Sequence, residues 1–323
     1  MKQNENRYIP AKKNGRFECQ VHEVKEGFFW STTLSLMSSS FVRLCSSKKE
    51  QVDWYAPEAP IMVSQEPVIT WIGHATLLIQ VAGINILTDP IFGNSSILFP
   101  RIIKPGVAFD ALPPIDLVLI SHNHFDHMEC SSIRALVKKN PHIKLLVPHG
   151  DKYWLDKRSR DHATEYVWWE SITIAETVTF TFLPAIHWTQ RNLFDRNRSL
   201  WGSWIIQSNE ATIYFGGDTA YGAHFASIAH EFSSIDIAIL PIGPCEPRDA
   251  MKHAHMDSME AIQAFQTLGA THFIPIHWGT FHFGNEPALL SIERLQQGWN
   301  VAKLKPYAVL HIPKAGQKLM LPD

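Results

Sequence analysis

Residues 120–130 read ISHNHFDHMEC, directly behind the apolar run IDLVLI at residues 115–120. Three histidines and one aspartate, His122, His124, Asp126 and His127, crowd into six positions. A short apolar run closed by polar residues has the pattern of a buried strand, so these side chains stand in the loop that leaves its end. In an extended loop, residues two apart project the same way, which aligns His122, His124 and Asp126, with His127 next door. Neutral imidazoles and a carboxylate are a ligand set for a borderline cation such as zinc, with iron or manganese less favoured. The loop can serve two neighbouring ions, but four side chains cannot close two tetrahedral sites. The remaining ligands must come from distant loops.

Three places supply them. His187 ends TFTFLPAIH, Asp218 sits in FGGDT behind the run ATIYF, and His277 ends HFIPIH. Each follows an apolar run, as expected when ligands project from strand ends into one cleft. A lone histidine at a strand end is more often a cap or a solvent-facing residue, and the chain has 17 of them. A dense loop followed by three strand-end ligands in order is much harder to produce by chance.

The surrounding texture indicates the architecture. From Val68 onward, VITWIGHATLLIQ, INILTDP, IDLVLI, IKLLVP, EYVWWE, TVTFTFLPA, LWGSWIIQ, ATIYFGG, DIAILPIG, HFIPIHW and AVLHIP are short runs rich in β-branched and aromatic residues, bounded by Gly, Pro, Asp or Asn. Helical patterns lie between some of them: SSIRALVKKN, AHFASIAHEF, DSMEAIQAFQTLG and PALLSIERLQQG. The third opens with Asp257 and Glu260 at capping-box spacing and stops at Gly269. Strands dominate the first half and alternate with helices in the second, which predicts an α/β fold of two mixed sheets packed face to face with helices outside, an αββα sandwich.

With 323 residues the chain can bury a large core, and 29 basic against 31 acidic side chains leave no positive field to hold a polyanion. Nucleic acid is therefore a poor default partner, and a nuclease is disfavoured. Cys19, Cys45, Cys130 and Cys245 are scattered, with no C-x-x-C pair, so neither a disulfide framework nor a thiolate zinc site is expected. Residues 1–65 have little periodicity and read as an N-terminal arm, ahead of a main domain at residues 66–323. Within the arm, FFWSTTLSLMSSSFVRLC at residues 28–45 is interrupted by seven Ser or Thr, a poor spanning helix, and Leu44 before Cys45 does not suit a secretory cleavage site. A packed or amphipathic helix is its plain reading, contact with a membrane surface the sharper one.

The H-x-H-x-D-H loop, present here in full, resembles that of the metallo-β-lactamase superfamily. WIGHAT, LTDPIF, LPPIDLVLISHNHFDH, FLPAIHW, NRSLWGSW, FGGDTAY, LPIGPCEPR, MKHAH and IHWGTF extend the resemblance across residues 68–284, with GRF at residues 15–17. Together they are similar to the branch containing N-acylphosphatidylethanolamine-hydrolysing phospholipase D and its bacterial relatives. The resemblance implies the metallo-β-lactamase αββα fold and two zinc ions, with iron or manganese as alternatives. It places His122, His124 and His187 on one ion, Asp126, His127 and His277 on the other, and Asp218 between both. A hydroxide bridging the two would then be the nucleophile.

Around these ligands, Asp89 in LTDP reads either as a partner that orients a ligand imidazole or as a turn before Pro90. His74 in WIGHAT has the same two readings, with the weight on structure. By resemblance, His255 in MKHAH reaches the substrate phosphate, where it would be catalytic and substrate-binding; a solvent-facing histidine beside a helix is the plain alternative, and His253 competes for the role. Phe125 stands where the phospholipase carries a lipid-contacting tyrosine, keeping apolar contact and losing a hydroxyl. Asp249 and Ala250 replace a bulky aromatic pair.

The expected activity is a phosphodiesterase of phospholipase D type, hydrolysing N-acylphosphatidylethanolamine-like lipids to N-acylethanolamine and phosphatidic acid. A metal-dependent hydrolase of a soluble ester, lactone or phosphodiester is the alternative, and a metal-stabilised binding protein is opposed by the complete ligand set. The expected partner is a phospholipid at a membrane surface, the expected location cytoplasmic and peripheral to the membrane, and a homodimer is the assembly to test.

Overall fold

Residues of IDLVLI alternate between two separate cores: Leu117 and Leu119 join one apolar cluster, Val118 and Ile120 the other. The same alternation divides Ile86 from Leu87 and Leu146 from Leu145 and Val147. Strands covered on both faces lose the apolar/polar alternation of a half-exposed sheet and become continuous apolar runs, which is why these segments stand out in the sequence. The structure is a computed structural model that describes residues 8–18, 53–95, 99–281 and 286–321. The stretch at residues 28–45, with its lipid-facing expectation, lies outside the described residues.

A small hairpin, β1 (Lys12–Lys13) and β2 (Arg16–Phe17), precedes the sandwich. The first sheet contains β3 (Val68–Gly73), β4 (Thr76–Val81), β5 (Ile84–Thr88), β6 (Leu117–Leu119), β7 (Lys144–Pro148) and β8 (Ala163–Tyr166). The second contains β9 (Ser171–Ile174), β10 (Val178–Leu183), β11 (Ser203–Gln207), β12 (Thr212–Phe215), β13 (Ile237–Pro241), β14 (His272–Ile276) and β15 (Val309–Leu310). The last strand, β16 (Lys318–Met320), returns to the first sheet. Among the described residues each sheet has seven strands, in the orders β16-β3-β4-β5-β6-β7-β8 and β15-β14-β13-β12-β11-β10-β9. From β5 to β8 and from β12 to β15 the pairing is parallel; the rest is antiparallel.

That topology positions the site. Strands β3, β5 and β6 run the same way in the first sheet, as do β10, β12, β13 and β14 in the second. Their C-terminal ends deliver His74, Asp89, the loop at residues 121–128, His187, Asp218, the segment containing His255, and His277 to one rim. The interface between the sheets includes a stack of Trp71 on Trp278, ring centroids 4.6 Å apart, a pairing worth about 0.5–1.5 kcal/mol beyond its buried area.

Helices cover the outer faces, as the patterning predicts. Helix α1 (Cys130–Lys139) buries Ile133, Leu136 and Val137 against β6 and β7. Beyond a one-turn α2 (Lys157–Asp161), the other sheet is covered by α3 (His224–Glu231), α5 (Ser258–Leu268) and α6 (Leu290–Val301), with a short α4 (Arg248–Met251) before α5. The capping box at α5 is present: Asp257 accepts from Met259 and Glu260 backbone N–H groups, and Gly269 closes the helix at φ 71°.

One reading changes. VITWIGHATLLIQ is two strands, not one, joined at His74 and Ala75. Apolar residues continue through the turn because both sides of it are buried, so periodicity gives no warning. Gly73 at φ 136° and His74 at φ 58° make the reversal. The strand β9 and helices α2 and α4 are too short to generate a period and carry no signal in the sequence.

Candidate metal centre

Behind β6 the chain does not continue straight. Ser121 donates its backbone N–H to Asp89 Oδ1 (2.7 Å) and its hydroxyl to Asp89 Oδ2 (2.6 Å). His127 N and Met128 N both donate to the His124 carbonyl, at 3.1 and 2.9 Å, closing residues 124–128 into a tight turn. The loop therefore presents His122, His124, Asp126 and His127 from one compact knot.

Ring tautomers follow from the neighbours. His187 Nδ1 lies 2.9 Å from the Ala254 carbonyl, which can only accept, so the proton is on Nδ1 and Nε2 keeps its lone pair. Ser121 gives its hydroxyl proton to Asp89, so it accepts from His122 Nδ1 at 2.9 Å, and His122 Nε2 is likewise bare. Both bare nitrogens face His124 Nδ1, at 2.8 Å from His122 and 3.2 Å from His187. One proton at most fits among three nitrogens that need electron-poor company. A divalent cation satisfies all three at once, and the ligand atoms of His122, His124 and His187 all lie within 4.8 Å of one another.

A second group adjoins the first. Asp126 Oδ2 lies 3.5 Å from His127 Nε2 and 3.7 Å from His277 Nε2. Asp218 sits between the groups: its Oδ2 is 3.3 Å from His127 Nε2, 3.2 Å from His277 Nε2, 3.8 Å from His187 Nε2 and 4.0 Å from His122 Nε2. Buried Asp218 Oδ1 has no hydrogen-bond partner among the described residues. Leaving a buried carboxylate oxygen unpaired is costly unless a cation meets it. The donor set thus fits a pair of divalent cations.

Asp89 and His74 are within reach of these groups but are otherwise engaged. Asp89 accepts from Ser121 twice and from His127 Nδ1 at 2.8 Å, which turns His127 Nε2 toward the centre. His74 Nε2 lies 2.9 Å from Asp126 Oδ2, holding that carboxylate. The His74 backbone donates to Thr280 Oγ1 (2.6 Å) and accepts from His277 N (3.2 Å), so WIGHAT and IHWGTF interlock. His74, Asp89 and His277 have φ values of 58°, 34° and 66°. Left-handed backbone at non-glycine residues costs about 1–3 kcal/mol each and collects at functional sites.

Burial, with neighbouring imidazoles, depresses the ring pKa of His122 well below its ordinary value and that of His124 to about 3. Burial also takes His187 to about 4 against the pull of Asp218. These rings are neutral, as ligands must be. Burial would raise Asp126 and Asp218, but His127 leads the charges that hold both well below the usual carboxylate range. Burial works against protonation of His127 and His277, yet the adjacent carboxylates lift His127 well above its ordinary value and His277 to about 9. Protons and cations compete for the same nitrogens.

His255 joins the cluster: its Nδ1 is 3.7 Å from Asp218 Oδ2, and its ring centroid is 5.1 Å from that of His187. Arg248 of the EPR motif donates to the His255 carbonyl at 3.0 Å, which connects the two motifs physically. His253 makes none of these contacts. Phe125 stands on the rim, 50% exposed, and Asp249 is a solvated surface charge paired with Lys252 at 3.0 Å. Ser121, the Ala254 carbonyl and Arg191 are the contributors the sequence reading missed. A serine, a backbone oxygen and a loop arginine carry no ligand signature, although Ser121 immediately precedes the histidine run.

A family model described as "Beta-lactamase superfamily domain" matches residues 84–278. The "N-acyl-phosphatidylethanolamine-hydrolyzing phospholipase D 1" of Caenorhabditis elegans is 34% identical over 67% of this chain and 64% of its own length. A mitochondrial N-acyl-phosphatidylethanolamine-hydrolyzing phospholipase D of Saccharomyces cerevisiae is 32% identical over 70% of this chain and 50% of its own. The match thus spans less than two thirds of either relative. Among solved structures, the metallo hydrolase Igni18 of Ignicoccus hospitalis superposes with a TM-score of 0.60 at 19% identity, covering 80% of this chain and 99% of that one.

Proposed function

This chain belongs to the metallo-β-lactamase superfamily, and from that premise we propose that it stands in the branch of the N-acylphosphatidylethanolamine-hydrolysing phospholipases D and is a dinuclear zinc phosphodiesterase of phospholipase D type. At the coarser level it is a metal-dependent hydrolase of that fold. The proposed substrate is an N-acylphosphatidylethanolamine-like lipid, cut to N-acylethanolamine and phosphatidic acid. The single observation that carries the two-cation reading is Asp218 Oδ2, which lies within 4.0 Å of ring nitrogens from both histidine groups.

His122, His124 and His187 would hold one ion, Asp126, His127 and His277 the other, and Asp218 would face both. When bound, the cations supply a water acidic enough to ionise near neutral pH and offset charge on a phosphoryl group. His74 keeps Asp126 oriented and Asp89 keeps His127 Nε2 directed inward. His255, whose Nδ1 lies 3.7 Å from Asp218 Oδ2, is placed to donate a hydrogen bond to a phosphoryl oxygen or to protonate the departing alkoxide. Phe125 offers an acyl chain an apolar rim.

A second reading is favoured by one feature. Where the phospholipases carry a bulky aromatic pair, Asp249 is 89% exposed and solvated, which suits a soluble ester, lactone or phosphodiester. The test is metal analysis of the purified full chain coupled to hydrolysis of N-acylphosphatidylethanolamine vesicles and of a soluble ester and phosphodiester panel, identifying the released head group. Two zinc ions per chain with N-acylethanolamine release supports the lipid reading. Turnover confined to soluble substrates would replace it with the second.

A further inference from the structure

The loop after His187 is braced from within. Asp195 accepts the N–H groups of Arg191, at 3.0 Å, and of Asn192, at 2.8 Å. Thr189 N donates to Asn197 Oδ1 (3.2 Å), Asn197 N to the Thr189 carbonyl (2.8 Å), and Thr189 Oγ1 to the Ser199 carbonyl (2.7 Å). Outside it, Phe17 N of β2 donates to the Asn197 carbonyl (2.7 Å) and Arg16 Nη2 to the Phe194 carbonyl (2.9 Å). A loop tied at so many points is a rigid mount for whatever it projects.

It projects Arg191. The guanidinium lies 4.3 Å from the Phe125 ring centroid and 5.7 Å from that of Trp154. Its Nη1 donates to the carbonyls of Asn123 (2.6 Å) and Met128 (3.0 Å). These carbonyls flank His124, Asp126 and His127: Asn123 lies between His122 and His124, and Met128 follows His127. From below, buried Asn123 donates its side-chain amide to Asp151 Oδ1 at 2.9 Å. One arginine from the second sheet thus holds the ligand loop of the first on either side of His124 to His127, and with it the 3.2 Å approach of His187 Nε2 to His124 Nδ1 across the two sheets.

We propose that Arg191 is a positioning residue for the metal centre, acting through the Asn123 and Met128 carbonyls to hold the loop at residues 122–128 in register with His187. The inference rests on the two-cation reading above. Its physical basis is that the loop's ligands come from one sheet and His187 from the other, so their spacing depends on a connection between the sheets at the rim. A planar guanidinium lying over two rings and donating to two carbonyls is such a connection; an ammonium lacks its fork of donors.

The test strips the full chain with a chelator and titrates it with cobalt(II) alone, following uptake and the visible absorption of the bound ion, for wild type, R191K and R191A. Losing a group that orients ligands costs about 10–100-fold in metal affinity. R191A is expected to fall in that range with an altered spectrum, and R191K to fall between it and wild type. Added methylguanidinium should return the R191A spectrum toward wild type, a recovery that general loss of stability does not produce. With bis(4-nitrophenyl) phosphate as probe substrate, kcat should drop more than KM rises. If R191A does not fold, R191K carries the comparison. Wild-type affinity and spectrum in R191K, or in a folded R191A, overturns the proposal. Wild-type protein that takes up no cobalt removes the metal-centre reading and this inference with it.

Discussion

Asp89 Oδ2 lies 2.8 Å from His127 Nδ1, with both side chains sealed from solvent and Asp89 receiving three hydrogen bonds in all. Asp89 thereby engages the Nδ1 proton of His127, so Nε2, facing Asp126 and Asp218, is the nitrogen at which a proton and a cation compete.

Asp89→Asn tests that relationship. An amide cannot accept from all three donors, and its NH₂ directed at His127 favours the tautomer with the proton on Nε2, where a ligand needs a lone pair. Metal affinity should fall by about 10–100-fold with the fold retained, measured by titration of the stripped protein. Unchanged affinity would mean that His127 is oriented by something else.

Asp218→Asn keeps shape and removes the charge shared by both histidine groups. Metal content should drop below two per chain, and turnover should fall by more than about 100-fold, beyond the loss typical for a mere orienting partner. Two tightly held ions with near-normal turnover would sink the shared-carboxylate assignment.

His255→Ala should leave both ions bound and slow turnover by roughly 10²-fold, the usual contribution of a proton donor. The loss should be smaller with a nitrophenolate leaving group, which needs no proton. Equal losses on both substrates would identify positioning instead of proton donation.

Asp151 gives a pH prediction. Burial raises its carboxyl from the ordinary 3.8 to about 8, despite hydrogen bonds from Ser199 and Asn123 and the attraction of Arg191; Glu165 adds repulsion. The folded state therefore binds a proton that the unfolded chain has already released. This stabilising contribution is complete below pH 3.8 and is lost as pH rises to about 8. Asp151→Asn, neutral throughout, should gain stability relative to wild type as pH rises from 5 to 8, read from denaturant unfolding of the metal-free proteins. A difference that does not change with pH refutes the buried neutral acid.

His122, His124, Asp126 and His127 were legible from spacing, because ligands adjacent in sequence are adjacent in space. The strands were legible because parallel segments covered on both faces become continuous apolar runs. Asp257 and Gly269 marked the ends of α5 for equally local reasons, the hydrogen-bonding reach of one side chain and the left-handed φ of one glycine. His187, Asp218 and His277 were visible as polar residues behind apolar runs, and the family resemblance assigned them to particular ions.

Other features depend on parts of the chain far apart in sequence. His74 lies 52 positions from Asp126, and Arg191 lies 68 from Asn123. Sequence alone determined which side chains could bind a cation and which segments would be buried, since both depend on residue type and short-range pattern. Only the tertiary structure decided that seven strand ends meet at one rim, that Asp218 stands between both histidine groups, and that His255 and not His253 reaches them. Those outcomes depend on strand order and direction, set by how two sheets bury their shared faces, and no local periodicity encodes that choice.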